Sequence, residues 1–166
     1  IETFLNKHGW SGDFRTPLAD DASFRRYERL NDGIRNAVLM DAPPKYEEIT
    51  PFVFVANHLR MLGLSAPKVY EEDISKGLLL LEDFGDDTYS RILDRQPGSE
   101  LQLYKLAIEA LLFLQTRPIS NLLHPRMASY TLEIFLDEVL LFIKWYCLQF
   151  VKVPISRESV KTFKKL

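Results

Sequence analysis

The chain has 166 residues, of which 46% are hydrophobic, and its formal net charge is −2. This composition is typical of a folded domain and excludes a disordered chain, and the small charge offers no basic surface for nucleic acid or an anionic membrane. The single cysteine excludes an internal disulfide, so we expect a cytoplasmic protein, and we expect no membrane span.

The first part of the chain predicts one helix followed by three strands. Residues 1–9 have the apolar spacing of a short amphipathic helix, and Gly9 ends it. Residues 16–42 read as three strands. The last two of these strands form a hairpin, because Asp32 and Gly33 supply the positive φ that its turn requires.

A second helix and two further strands follow. In residues 50–63, Thr50 is the predicted N-cap, and Gly63 ends the helix. Residues 67–84 predict two strands that are joined at residues 75–77. The second of these strands is apolar on both faces, which favours an interior position in the sheet.

From residue 86 onward the pattern predicts helices alone. Ser99 and Gln102 have the spacing of a capping box, which would open one of them. The predicted helices span residues 87–95, 99–116, 130–151 and 156–166. Because strands precede helices, we expect an α+β fold with one five-stranded antiparallel sheet. The predicted domains are residues 1–85, with the sheet, and residues 86–166, which are helical.

The triplet Asp83-Phe84-Gly85 follows the fifth predicted strand and spells the magnesium-binding motif of protein kinases. In a kinase, an H-x-D loop precedes this aspartate. Upstream of Asp83 the chain has only His8 and His58, and neither begins such a loop. We therefore interpret the triplet as part of a connector between the strands and the helices.

Several runs of residues carry a family resemblance. They resemble the aminoglycoside phosphotransferase family, and in particular its bacterial branch of cell-wall amino-sugar kinases, which act on N-acetylmuramate and N-acetylglucosamine. The resemblance covers nearly the whole chain. Its runs are LADDASFRRYERL (18–30), AVLMDAPP (37–44), GLSAPKVY (63–70), GLLLLEDFGDDTY (77–89) and FLDEVLLFIKWY (135–146).

The resemblance implies a protein-kinase-like fold, in which a five-stranded N-lobe with one helix is followed by the start of a helical C-lobe. It implies a phosphotransferase that uses ATP with Mg2+. The acceptor would be a small molecule, either an amino sugar or an aminoglycoside, and neither nucleic acid nor membrane would be a partner.

The resemblance also assigns an adenine site to the connector. Adenine would bond to the backbone C=O of Leu81 and the N–H of Asp83, on either side of Glu82. Leu80 would lie behind the ring and Val38 above it. Apolar residues at positions 38 and 80 are also what any core strand would have, so these roles come from the family.

In place of a glycine-rich phosphate loop, the chain has Asp20-Asp21-Ala22-Ser23. The Ser23 hydroxyl and neighbouring N–H groups are candidate phosphate contacts. The resembled branch has glycine where Asp20 stands, and a carboxylate there would repel a triphosphate. An ordinary turn is an equally good interpretation of this segment.

Met40 stands where kinases have a phosphate-binding lysine, so we predict that it lies in the nucleotide cleft. The helix over residues 51–62 has no Asp or Glu to pair with a lysine. The two absences agree, because a buried glutamate without its lysine would be costly. Another cation would have to replace the lysine, although strand arginines are more often simply exposed. The candidates are Arg25 and, second, Arg26, with Glu47 and Glu48 as their possible partners.

We predict no catalytic residue and no metal ligand in this chain. In the resembled family, the catalytic aspartate, the asparagine and the magnesium aspartate follow the region equivalent to residues 130–166, so Mg2+ ligands are expected beyond Leu166. Because the chain starts at Ile1, not Met, and stops inside a helical pattern, we interpret it as the N-terminal part of a longer protein.

Two functions stay open at this point. The first is the N-terminal part of an ATP-dependent small-molecule kinase. The second is a truncated or degenerate kinase-like domain that binds nucleotide or a partner without catalysis. Three acidic residues of the long helix are candidates for acceptor binding, although a solvated helix face is the favoured interpretation: Glu133, Asp137 and Glu138.

Overall fold

The computed structural model describes residues 1–10, 15–18, 23–116 and 129–164. Contacts divide the chain into two compact units, residues 1–124 and 125–166, which are treated separately here. The predicted boundary after residue 85 falls within the first unit, where the last strand has ended, and it stays a prediction.

The first unit contains a five-stranded antiparallel sheet, which confirms the predicted fold class and strand count. The spatial order is β1-β2-β3-β5-β4, so β5 is an interior strand. Its four leucines are all buried, as expected for a strand with both faces covered. The strands are β1 Arg15–Pro17, β2 Arg26–Asn31, β3 Asn36–Asp41, β4 Val69–Asp73 and β5 Leu78–Leu81.

The described residues of this unit include four α-helices, namely α1 Glu2–Lys7, α2 Thr50–Met61, α3 Tyr89–Arg95 and α4 Glu100–Gln115. Gly63 has φ +81° just after α2, as predicted. The predicted N-cap of α2 was wrong by one position, because Ile49 is the N-cap and Thr50 begins the helix. The predicted capping box was also wrong, because Ser99 has helical backbone angles at the end of a 3-10 turn and its side chain makes no cap bond.

The alternation of side chains along the strands gives the sheet two apolar faces. One face packs against α1 and includes Leu30, Leu39 and Leu80. The other face includes Met40 and Leu81. Phe52 and Val53 of α2 pack against this second face, which we call the α2 face.

Gly77 holds the β4–β5 turn close to the end of β3. Its φ is +69°, and a Cβ there would lie 1.9 Å from the backbone O of Ala42. The Ala42 N–H donates to Gly77 O at 2.8 Å. The absence of a side chain at Gly77 thus allows two backbone segments to meet.

The second unit is helical where it is described. Helix α5 Leu132–Leu141 begins after Thr131, whose side chain accepts from Ile134 N–H, and it continues into a π-helical segment, Phe142–Phe150. Helix α6 Arg157–Phe163 follows and is capped by Ser156. The helix predicted over residues 130–151 is therefore α-helical only in its first half. In the described ranges no strand follows β5, and no helix has the length and apolarity needed to cross a membrane.

Candidate functional site

A pocket of about 560 Å³ lies where β5 ends and the chain continues into α3. We call residues 82–88, between β5 and α3, the connector. The apolar wall includes Val38 of β3 and Phe52 of α2, and the charged groups lie on the connector, on β2 and on α3. The lining residues are Leu18, Tyr27, Arg29, Val38, Phe52, Pro67, Leu81, Glu82, Asp83, Phe84, Gly85, Asp86, Thr88 and Arg91.

Four of the predicted nucleotide-binding residues line this pocket together. They are Val38, Leu81, Glu82 and Asp83. Val38 and Leu81 are directly paired across β3 and β5, so both are on the α2 face of the sheet. The structure therefore places an apolar surface beside the start of the connector, where adenine was predicted, and the nucleotide contacts themselves stay predictions.

Two predicted positions need correction. Leu80 points to the opposite face of the sheet, among the residues that pack against α1, and does not lie behind this pocket. Met40 is on the α2 face but is fully buried in the apolar cluster with Leu79, so it does not line the pocket. Leu80 differs because side chains alternate between the two faces along a strand. Met40 differs because Tyr27 and Phe52 pack against the same apolar cluster.

Arg25 lies beside the pocket and has the partner predicted for it. Its Nε donates to Glu47 Oε2 at 3.1 Å, and its guanidinium carbon lies 6.0 Å from the centre of the Phe52 ring, which lines the pocket. Ser23 Oγ accepts from the Arg25 N–H at 3.2 Å, so Ser23 shapes the turn before β2. Neither residue lines the pocket itself.

Arg26 points elsewhere. Its side chain is 69% exposed, and its Nη2 lies 3.6 Å from Asp41 Oδ2 at the end of β3. Of the two candidate cations, Arg25 is thus the one beside the pocket. Asp20 and Asp21, the remaining predicted neighbours of the phosphates, lie outside the described residues.

Arg29 of β2 was missed by the sequence analysis, yet it lines the pocket. Its Nη2 donates to Asp83 Oδ1 at 3.1 Å, and its Nε lies 2.7 Å from Asp83 Oδ2. Its Nη1 donates to both carboxylate oxygens of Asp86 at 3.0 Å. The side chain of Asp83 is only 7% exposed, so this pair is largely withdrawn from solvent.

Charge complementarity stabilises this group. Hydrogen bonds to Asp83 and then to Asp86 raise the pKa of Arg29. The hydrogen bonds that Arg29 donates hold the pKa of Asp86 below its usual value. Arg91 Nη1 of α3 also lies 3.1 Å from Asp86 Oδ1, so the pocket contains a network of two guanidiniums and two carboxylates.

Asp83 is committed to protein partners. Besides Arg29, its Oδ1 accepts from the Gly85 N–H at 2.9 Å, which closes a tight turn at Gly85. No cluster of three His, Cys, Asp or Glu side chains that would hold a metal ion occurs in the described ranges. The residues present here do not fit a magnesium site, which agrees with the interpretation of the triplet as a connector.

The connector is also held by α2 and by the residue before β4. Glu82 Oε2 accepts from Arg60 Nη1 of α2 at 3.1 Å and from the Lys68 N–H at 3.0 Å. The Glu82 N–H donates to Lys68 O at 2.9 Å. Successive side chains of the connector are thus bound by different elements, Glu82 by α2 and the start of β4, and Asp83 by β2.

One signal in the sequence indicates Arg29. Tyr27 and Arg29 have the same parity along β2, and the hairpin register pairs Arg29 with Val38. A charged residue on an apolar sheet face needs an opposite charge within reach, and carboxylates follow β5 closely at positions 82, 83, 86 and 87. The sequence does not show that Arg29 and Asp83 meet, because they are 54 positions apart and only folding brings them together.

Comparison with known proteins adds independent information. The model of the phosphotransferase enzyme family matches residues 15–137. The chain is 35% identical to the N-acetylmuramate/N-acetylglucosamine kinase of Pseudomonas aeruginosa, over 90% of this chain and 43% of that protein. Proteins of the same name from Caulobacter vibrioides and Pseudomonas putida are 32% and 37% identical, over 86% and 79% of this chain.

The chain spans less than half the length of these curated relatives. The matched share is 43% of the Pseudomonas aeruginosa protein, 48% of the Caulobacter vibrioides protein and 37% of the Pseudomonas putida protein. The similarity thus compares this chain with part of each relative.

Proposed function

This chain belongs to the phosphotransferase enzyme family, as its sequence motifs predicted, and on that premise we propose that its protein transfers the γ-phosphoryl group of ATP to a small-molecule acceptor. The curated relatives named above are N-acetylmuramate/N-acetylglucosamine kinases, which supports an amino sugar as the acceptor class. The observation that carries the proposal is the pocket at the connector, with an apolar wall beside a backbone held from two sides.

In this proposal the pocket takes the adenine ring. Val38 and Leu81 present apolar surface to a flat ring, and the backbone that follows Leu81 offers the C=O and N–H groups that fix its orientation. Small-molecule sites commonly combine an apolar wall with a few such polar groups. Leu80 has no direct part in this version of the site.

Arg25 takes the place of the missing kinase lysine in this proposal. A lysine of that kind is held by a glutamate of the following helix, and here Glu47, just before α2, holds Arg25 at 3.1 Å. The positive charge comes from the segment before β2, whereas the kinase lysine comes from β3. Ser23 supports this cation through the turn that its hydroxyl stabilises.

Phosphoryl transfer also requires a base and metal-borne charge, and no cluster that could hold a metal ion occurs among the described residues. We place both in the part of the protein that corresponds to the unmatched length of the relatives. Mg2+ would there neutralise the developing charge on the phosphates. What the described residues contribute is therefore nucleotide binding and orientation.

The proposal is tested by separating binding from turnover. We expect the 166-residue chain to bind ATP in calorimetry but to release no ADP above the no-enzyme control when Mg2+ and N-acetylmuramate or N-acetylglucosamine are present. The protein with the full length of its relatives should release ADP in a sugar-dependent manner. Failure of that longer protein to phosphorylate any amino sugar or aminoglycoside would overturn the proposed activity.

Two arginine variants sharpen the assignment of the site. Arg25→Gln should weaken ATP binding more than adenosine binding, because it removes a charge that faces the phosphates. Arg26→Gln is the matched control, since its side chain is largely exposed and pairs with Asp41. Equal losses in the two variants would reflect general electrostatics and would contradict a specific role for Arg25.

A further inference from the structure

Arg29 lies in a row of side chains that crosses the sheet. The antiparallel registers pair Arg29 with Val38 and Val38 with Leu81, so the three positions are neighbours on the α2 face. Neighbouring strands in this row, β2 and β3 and then β3 and β5, lie about 4.8 Å apart. To reach Asp83, the Arg29 side chain extends past Val38 to the residue two positions after Leu81.

This contact is a direct link from β2 to the connector. In the sheet order, β3 and β5 lie between β2 and the connector. Arg29 therefore fixes the position of the connector relative to β2, the strand that pairs with β3 at Val38. The link is double, because Nη2 donates to Asp83 while Nη1 donates to both carboxylate oxygens of Asp86.

The same geometry leaves Arg29 few means of binding a ligand directly. Its Nη1 donates to both oxygens of Asp86 and its Nη2 to Asp83 Oδ1, and its Nε lies 2.7 Å from Asp83 Oδ2. An incoming phosphate would have to displace a carboxylate and would meet the negative charge of Asp83 and Asp86. The arginine is thus committed to the protein, although it lines the pocket.

We propose that Arg29 is a positioning residue for nucleotide binding: it latches the connector, through Asp83 and Asp86, in the shape that presents its backbone to the base. The inference rests on the proposed nucleotide site, but the latch itself is a property of the nucleotide-free chain. An ordered connector does not have to be immobilised when the ligand binds, so the latch raises affinity by pre-organisation. Arg29 makes no contact with the phosphates.

A latch of this kind predicts a particular pattern of losses. In Arg29→Gln, affinities for adenosine, ADP and ATP should all fall by the same factor, about tenfold, because the loss arises at the base. A residue that bound phosphate would instead show a loss that grows from adenosine to ATP. Arg29→Lys should not restore affinity, because one ammonium cannot reproduce the bidentate contacts to two carboxylates.

Hydrogen exchange of the nucleotide-free chain tests the latch independently of any nucleotide. The Gly85 N–H donates to Asp83 Oδ1, and we expect its exchange to be about tenfold faster in Arg29→Gln, while amides of β3 are unchanged. Arg15→Gln is the matched control. It removes a β1 arginine that also has two carboxylate partners, Glu2 at 2.7 Å and Glu28 at 3.1 Å, but does not line the pocket.

The outcomes are distinct. Unchanged exchange at Gly85 in Arg29→Gln, or a loss of affinity that grows with the number of phosphates, would overturn the latch. Faster exchange in a chain that binds no adenine nucleotide would leave the latch in place and overturn the nucleotide site. If Arg29→Gln does not fold, Asp86→Asn replaces it, because that carboxylate is 58% exposed and its loss leaves the Arg29–Asp83 contact in place. Arg91→Gln is its control, because it removes the ion pair of Asp86 with α3 and leaves both contacts of Arg29.

Discussion

Restoring the kinase lysine at position 40 tests how completely this chain has lost the usual phosphate anchor. Met40 is fully buried, and its neighbours on the α2 face are apolar. Glu47, the carboxylate at the start of α2, already pairs with Arg25. In Met40→Lys the new ammonium would enter a cluster whose described members are all apolar.

The magnitude follows from this environment. Lysine can keep much of the methionine packing through its methylene groups, so the main cost is the unpaired charge. An uncompensated charge inside a protein destabilises by about 3–5 kcal/mol. For a chain of this size each kcal/mol lowers the Tm by about 2–4 °C, so we expect a decrease of roughly 6–20 °C. Met40→Leu conserves size and polarity and should cost less than about 1.5 kcal/mol.

Thermal and urea unfolding of the wild type, Met40→Leu and Met40→Lys measure these differences. Burial lowers the pKa of the introduced lysine, so the unfolded state binds more protons than the native state as pH rises towards about 10.4. Stability of the lysine variant relative to Met40→Leu should therefore increase between pH 7 and pH 10.

A Met40→Lys chain as stable as Met40→Leu at pH 7 would refute this reasoning. It would show that a carboxylate or solvent reaches position 40, and that the site still accommodates a lysine anchor. Tighter ATP binding in that variant would point the same way. The assignment of the phosphate-facing charge to Arg25 would then be wrong.

Two further predictions concern the β4–β5 turn. Gly77→Ala should destabilise by about 2–5 kcal/mol in urea unfolding, of which about 1–2 kcal/mol comes from the left-handed backbone and about 1–3 kcal/mol from the displacement of Ala42 O. Gly33→Ala, with φ +84° and open space, should show the backbone cost alone, and equal costs in the two variants would contradict the clash. Hydrogen bonds from Ser75 and then from Lys76 lower the pKa of Asp73 to about 2, so its contribution to stability should be complete above the ordinary value of 3.8 and disappear as pH falls towards 2; an NMR titration of Asp73 with a midpoint near 3.8 would contradict this.

The sheet was predictable because each strand carries a local signal. Gly33 marks the turn between β2 and β3, and unbroken apolar runs mark β3 and β5 as interior strands. The unbroken run of β5 explains the error at Leu80. Four successive leucines give no alternation, so the sequence does not specify which of them face α1 and which face the pocket.

The α-to-π change after Leu141 was not predictable for a similar reason. An apolar helical pattern indicates which residues are helical, but it does not distinguish i→i+4 from i→i+5 hydrogen bonding over a few turns. The described second unit has few buried side chains, Leu140 and Ile143, so packing within this unit gave the pattern little support.

The functional residues also divide into those that the sequence indicated and those that it did not. Arg25 and Glu47 were predicted as a pair because two absences, at position 40 and in α2, required another cation and a partner for it. Arg29 was missed because a strand arginine is normally exposed, and its partners are 54 and 57 residues away. Only the register of three strands brings that side chain to the connector.

The triplet Asp83-Phe84-Gly85 shows why a motif must be interpreted together with its partners. A metal ligand needs lone pairs that face open space, whereas Asp83 directs its oxygens at Arg29 and at the Gly85 N–H. The two roles exclude each other, because an arginine that lies 2.7 Å from the carboxylate would also repel a cation. The aspartate that a kinase uses for magnesium is here the residue that orders the connector. In the proposed function, the carboxylates of phosphoryl transfer are therefore ones that are free of such partners.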